Sequence, residues 1–196
     1  MLSLVLGIAG FILYLLYDIN SFTSQNRLLG YGFLSGSVLI TISTVIELIG
    51  AFKQNAFGGA ADIILIILSV ISFALLIYCL FFALPFEETY VEQTNGRKVY
   101  DGGAYALCRH PGLICFFAFY LFLGLAALPS GFLITGIIFS LLNLLYAAFQ
   151  DRVTFPKCFT NYVDYRKKVP FLIPNKKSIR QAAQTWARSD GKDDYT

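Results

Sequence analysis

The chain has 196 residues, of which 57% are hydrophobic, 16% aromatic and only 14% charged, with a mean hydropathy of +0.65. A soluble domain of this length needs a larger polar surface, and Leu, Ile and Phe arrive here in blocks and not at amphipathic spacing, so the apolar excess is meant for lipid. The formal net charge is +3, and no basic, aromatic-interleaved soluble segment is present that would argue for nucleic acid as a partner.

About 20 apolar residues cross a bilayer as a helix, and the chain offers about five such stretches. The expected fold is an all-α integral membrane domain, with residues 1-84 forming three transmembrane helices. The first runs from Leu2 to Tyr17 and is closed by Asp18 and Asn20. It has no basic n-region and no small-residue cleavage site after it, so it reads as a retained helix and not a signal peptide. The second runs from about Leu29 to Phe52 and carries Gly30, Gly32, Ser35, Gly36 and Ser37, small residues that let helix backbones approach closely in lipid. Glu47 lies within it, and a membrane carboxylate suggests a functional site, a polar helix–helix contact or snorkelling to the interface. The third runs from Ile63 to about Leu84 and stops at Pro85.

Residues 85-111 form a polar loop with Glu87, Glu88, Glu92, Arg97, Lys98 and Asp101, and a loop of that length is usually functional. Residues 112-149 hold the fourth and fifth spans, separated only by Pro129 and Ser130, which predicts a tight hairpin. Residues 150-196 are a basic tail: ten of the fifteen Lys and Arg follow Phe149. With the tail inside and an odd number of spans, the N-terminus falls outside. Arg27, Arg97, Lys98 and Arg109 then join the tail on the cytoplasmic face, leaving only Lys53 opposite, as the positive-inside bias requires. The long loop and the tail therefore share one side.

The four cysteines show no CxxC spacing, and small polarizable packing residues are the plain reading. Cys108, His110, Cys115 and Cys158 have zinc-ligand chemistry but not the spacing of a finger or ribbon, so no metal is expected.

The sharpest local signal is Gly102-Gly103-Ala104-Tyr105-Ala106-Leu107-Cys108-Arg109-His110-Pro111, which contains the only histidine in the chain. Arg109 offers a planar, permanently charged fork for a carboxylate, and His110 can donate or accept near neutral pH. Pro111 suits a helix start, where its missing N–H costs nothing. A basic flank at a membrane boundary would present the same residues. The second signal is the tail, where Phe155, Phe159, Tyr162 and Tyr165 fall at helical spacing with Lys157, Asp164, Arg166 and Lys168 largely elsewhere. This predicts an amphipathic helix on the membrane surface or against the loop.

Together these stretches resemble the isoprenylcysteine carboxyl methyltransferase-like membrane family, related to the phospholipid methyltransferases. The first is similar to its G-P-Y-x-x-x-R-H-P signature. The second resembles its pattern of paired acids after the last helix, spaced tyrosines, then V-P-x-x-I-P, here Val169, Pro170, Ile173 and Pro174. The resemblance covers roughly residues 99-174. It implies an S-adenosylmethionine-dependent methyltransferase that releases S-adenosylhomocysteine and takes a lipophilic acceptor sideways from the membrane lipids. By the same resemblance, Arg109 and His110 engage the methionine carboxylate beside Pro111, Gly103 and Tyr105 shape the wall, Tyr162 and Tyr165 close the site, and Gln150 and Asp151 accept from the amino group or ribose. Arg109, His110 and Asp151 form its implied catalytic set. Three departures from the pattern stand out: Leu113 replaces a tyrosine, Gln150-Asp151 replaces paired glutamates, and Cys158-Phe159 replaces a phenylalanine-glycine. A nicotinamide-dependent membrane reductase and a non-enzymatic scaffold of the same fold are the alternatives. Transport is weaker, since apart from Glu47 the spans carry almost no ionisable groups.

Overall fold

A computed structural model of the chain describes residues 1–83 and 98–189. Glu87, Glu88, Glu92 and Arg97 of the long loop, and the end of the tail after Ser189, lie outside the described residues. Among the described residues all regular structure is helical. Four helices are long and apolar enough to cross a membrane, consistent with a membrane protein: Leu2–Phe22, Gly32–Lys53, Ala60–Phe82 and Phe132–Cys158. A further apolar helix, Pro111–Ala126, has 16 residues. At 1.5 Å per residue it reaches about 24 Å, short of a hydrocarbon core of about 30 Å.

The chain divides into two compact units, Met1–Phe73 with Cys115–Thr154, and Ala74–Ile114 with Phe155–Thr196. The first unit contains α1 (Leu2–Phe22), the short α2 (Arg27–Gly30), α3 (Gly32–Lys53), most of α4 (Ala60–Ile77) and of α6 (Pro111–Ala126), and α7 (Phe132–Phe149). Here α1 and α3 lie backbone to backbone. A Cβ at Gly10 would sit 2.8 Å from the Gly36 carbonyl oxygen, and one at Gly36 would sit 2.6 Å from the Gly10 oxygen. The small residues expected to permit close approach do so at Gly32 and Gly36. Phe11, Ile40, Tyr120, Leu123, Phe132 and Phe139 fill the core beside this seam. Outward-facing Ile63, Ile64, Ile67, Val70 and Ile71 leave a broad apolar surface, which suits lipid and not water.

Two boundaries differ from the sequence reading. Asp18 and Asn20 do not close the first helix, which continues to Phe22 with both side chains buried. They find partners there without needing water: Asn20 Oδ1 accepts from the Asn26 N–H at 2.7 Å and its amide donates to the Asn26 carbonyl at 3.0 Å, which shapes the following turn. The second apolar stretch is broken at Tyr31, which ends a separate short helix that Asn26 caps through the Leu28 N–H at 2.8 Å.

The second unit contains a π-helical turn, Tyr78–Phe82, that ends the α4 run, then α5 (Ala104–Leu107), the first residues of α6, α8 (Phe155–Cys158), α9 (Tyr162–Lys168) and α10 (Lys176–Ser189). The tail is thus not one amphipathic helix across its aromatic positions. It breaks between Cys158 and Tyr162, because the Asn161 side chain is committed elsewhere: its oxygen accepts from the Val99 N–H at 2.7 Å and its amide donates to the Val99 carbonyl at 3.3 Å. The expected aromatic face survives the break. Phe155, Phe159, Tyr162 and Tyr165 still form one cluster, with Val99 and Val169.

Candidate functional site

The motif ending in Arg109-His110-Pro111 folds entirely within the second unit. Gly103 holds φ +54° and ψ −130°, a conformation that requires glycine, and its N–H donates to Thr185 Oγ of α10 at 2.9 Å. One helical turn, α5, follows and buries Ala104 and Ala106. Cys108 then leaves in extended geometry and is fully buried. Pro111 is the first residue of α6, as its missing N–H predicts, and the His110 carbonyl accepts from the Leu113 N–H at 3.1 Å.

The tail clamps this segment. The Arg109 N–H donates to the Pro170 carbonyl at 2.9 Å. The His110 ring lies nearly parallel to Phe155, with centroids 5.9 Å apart and 14° between planes, and meets Phe171 edge-on at 4.9 Å. The Arg109 guanidinium carbon stands 5.6 Å from the Phe171 ring centre, a cation–π arrangement. Arg109 Nε and Nη1 and His110 Nε2 are buried atoms. A guanidinium and an imidazole in one segment are groups whose chemistry suits a carboxylate or phosphate.

The tyrosines support the wall beneath. Tyr165 donates its hydroxyl to the Tyr105 carbonyl at 2.7 Å, and Tyr105 donates to the Cys79 carbonyl at 2.9 Å. Tyr162 packs edge-on to Phe155 at 5.4 Å and is almost fully buried. Burial pushes the Tyr165 phenol well above the ordinary tyrosine value of 10.0, with the neighbouring Tyr162 and Tyr105 adding to the shift. Its hydroxyl donates to a carbonyl, which can only accept, so it acts as a neutral donor. Of the expected site residues, the second unit brings together Gly103, Tyr105, Arg109, His110, Pro111, Tyr162 and Tyr165.

Gln150 and Asp151 belong to the first unit, in a π-helical turn (Gln150–Thr154) that continues α7. Such turns recur at functional sites. Asp151 is buried. The Gln150 amide donates to Tyr146 Oη at 2.9 Å, and both residues bond the buried Asp18 carboxylate, as Thr154 does at 3.4 Å. Tyr146, Gln150 and Thr154 are spaced by four. On a regular α-helix each such step drifts by about 40°, and the wider π turn reverses the drift between Gln150 and Thr154, so three donors converge on Asp18. The sequence reading took Asp18 as a helix stop and missed this arrangement. The signal available was an acid set in an apolar run, the same signal that singled out Glu47.

Glu47 itself joins helices of the first unit. Its Oε1 accepts from Ser3 at 2.5 Å and from Thr135 at 3.3 Å, and Ser43 bonds the Ser3 carbonyl at 2.6 Å. This is a polar interhelical contact. Among the described residues no three His, Cys, Asp or Glu side chains converge as a metal site.

Comparison with family models, with curated proteins and with solved structures finds no match in any of the three.

Proposed function

We propose that the chain is a membrane methyltransferase that uses S-adenosylmethionine to methylate a lipophilic acceptor drawn from the bilayer, in the manner of the isoprenylcysteine carboxyl methyltransferase-like family. The observation that carries this reading is the packing of its two resembling segments on each other: Arg109-His110 lies against Pro170, Phe171 and Phe155 within one unit. Arg109 and His110 present buried nitrogens that suit the methionine carboxylate, backed by Tyr105, Tyr162 and Tyr165. S-adenosylmethionine, when bound, supplies a sulfonium methyl that an acceptor oxygen or nitrogen attacks in line. The protein's own share is orientation and exclusion of water. Gln150 and Asp151 are assigned to the cofactor by the resemblance alone.

The finer architecture belongs to the same proposal. It has five spans, α6 being the short one at about 24 Å, with α6 and α7 as an antiparallel hairpin, supported by Gly136 abutting Tyr120 and Gly124 abutting Leu133. The bias of Lys and Arg towards residues after Phe149 supports an outside N-terminus and a cytoplasmic loop and tail.

The test is thermal unfolding of detergent-purified protein with excess S-adenosylhomocysteine, alongside Arg109→Ala. At about 100 times the dissociation constant the ligand should add about 2.7 kcal/mol, and the variant should lose that gain. No shift in folded protein would favour the scaffold reading, which the engagement of Gln150 with Tyr146 and Asp18 supports.

A further inference from the structure

We infer that the segment from Arg166 to Arg180 is a docking surface for the anionic headgroups of a lipid bilayer. Between Phe155 and Ser189 the chain carries eight Lys or Arg (Lys157, Arg166, Lys167, Lys168, Lys176, Lys177, Arg180, Arg188) and one acid, Asp164. Asp164 is itself paired with Lys167 at 3.0 Å. Lys168, Lys176, Lys177 and Arg180 are exposed. Among them stand two exposed isoleucines, Ile173 at 84% and Ile179 at 51%. Cations bracketing bare apolar side chains are the chemistry of a segment seated at a headgroup boundary.

The second unit also fixes the depth of this segment. The Pro170 carbonyl is bonded to the Arg109 N–H, two residues before Pro111 opens the apolar α6. Gly112 packs on Leu76, Cys79 and Leu80, near the end of the apolar Ala60–Phe82 helix. Residues 166–180 are thus tied to the level where apolar helices begin and end. On α10, Ser178 and Ala182 are buried and Thr185 bonds Gly103. The opposite side forms a shallow depression lined by Lys176, Lys177, Arg180, Gln181 and Gln184. Lys176 and Lys177 occupy the first turn of α10, where the helix dipole favours acids, so helix stability does not account for them.

The test titrates phosphatidylserine or phosphatidylcholine into the full-length protein in neutral detergent, with binding counted by native mass spectrometry. Phosphatidylserine should bind in preference. Each cation near an anionic surface is worth roughly fivefold, so K176Q/K177Q/R180Q should weaken phosphatidylserine on the order of a hundredfold, while Lys53→Gln in the first unit leaves it unchanged. Ile173→Ser should weaken the lipid but not water-soluble glycerophosphoserine. If the triple variant melts lower than the parent without lipid, Lys177→Gln alone provides the reading, at roughly fivefold. Equal binding of the two lipids, parental affinity in the variants, or binding of glycerophosphoserine as tight as that of the lipid would each overturn the inference.

Discussion

The two units dispose of their buried polar groups differently. In the first, side chains bond one another across helices: Ser3 to Glu47, Tyr14 to Ser37 at 2.9 Å, Thr44 to Tyr120 at 2.6 Å. In the second, side chains bond loop and helix-end backbone: Asn161 to Val99, Tyr165 to Tyr105, Tyr105 to Cys79, Thr185 to Gly103. Long helices satisfy their own backbone, so the bonds between them run mostly from side chain to side chain, with Ser43 to the Ser3 carbonyl and Ser69 to the Phe119 carbonyl as exceptions. Short helices and turns leave N–H and C=O groups exposed to burial, and each must find a partner. The second unit commits these polar side chains to that task, and their bonds tie together the segments on either side of Arg109 and His110.

The largest expected effect breaks the first unit by sterics alone. Gly36→Val places a Cβ against the Gly10 carbonyl, where backbone meets backbone and no flexible side chain can yield. A loss of about 3 kcal/mol is expected by thermal or denaturant unfolding in detergent, and near-parental stability would mean that α1 and α3 do not pack as described. Next, Asn161→Ala removes both side-chain bonds to Val99 and should cost about 2 kcal/mol. Hydrogen exchange should accelerate around Val99 and α9 while residues 40–44 of α3 stay protected; acceleration in both would erase the contrast between the units.

A smaller effect comes from Tyr165→Phe, which deletes the donor to the Tyr105 carbonyl at a cost of about 1 kcal/mol. Its pH dependence sharpens the comparison. The folded-state value of Tyr165 is raised above 10.0, so the unfolded chain ionises there first. The stability contributed by the neutral phenol is complete below pH 10 and falls as the pH rises above it. Melting temperatures of the parent should decline through that alkaline range more steeply than those of the Phe variant. Parallel declines would show that Tyr165 is not the buried neutral donor described.

Particular residues show how much of this arrangement is legible in the sequence. Pro111 at the head of a helix, small residues at a close helix contact, and the clustering of Phe155, Phe159, Tyr162 and Tyr165 were all legible, because each follows from local conformational preference or from spacing. Asp18 was misread, since an acid near the end of an apolar run stops a helix unless partners from another helix meet it, and those partners lie 128 to 136 positions away. The pairing of Asn161 with Val99, which breaks the tail helix, was hidden for the same reason. The role of α10 was also unread: its inward side carries Ser178 and Ala182, both buried, and Thr185, small residues that give no hydropathy signal.

By itself the sequence determined that this chain is helical and apolar enough for a bilayer, because hydropathy sums over a window of about 20 residues and needs no knowledge of neighbours. It also placed Arg109, His110 and Pro111 at a helix entrance. Only the tertiary structure decided that Pro170 and Phe171 close over that entrance, that Asp18 collects three donors and that Thr185 braces Gly103. Those contacts join residues tens of positions apart, and their partners are fixed by how helices pack and not by any local preference.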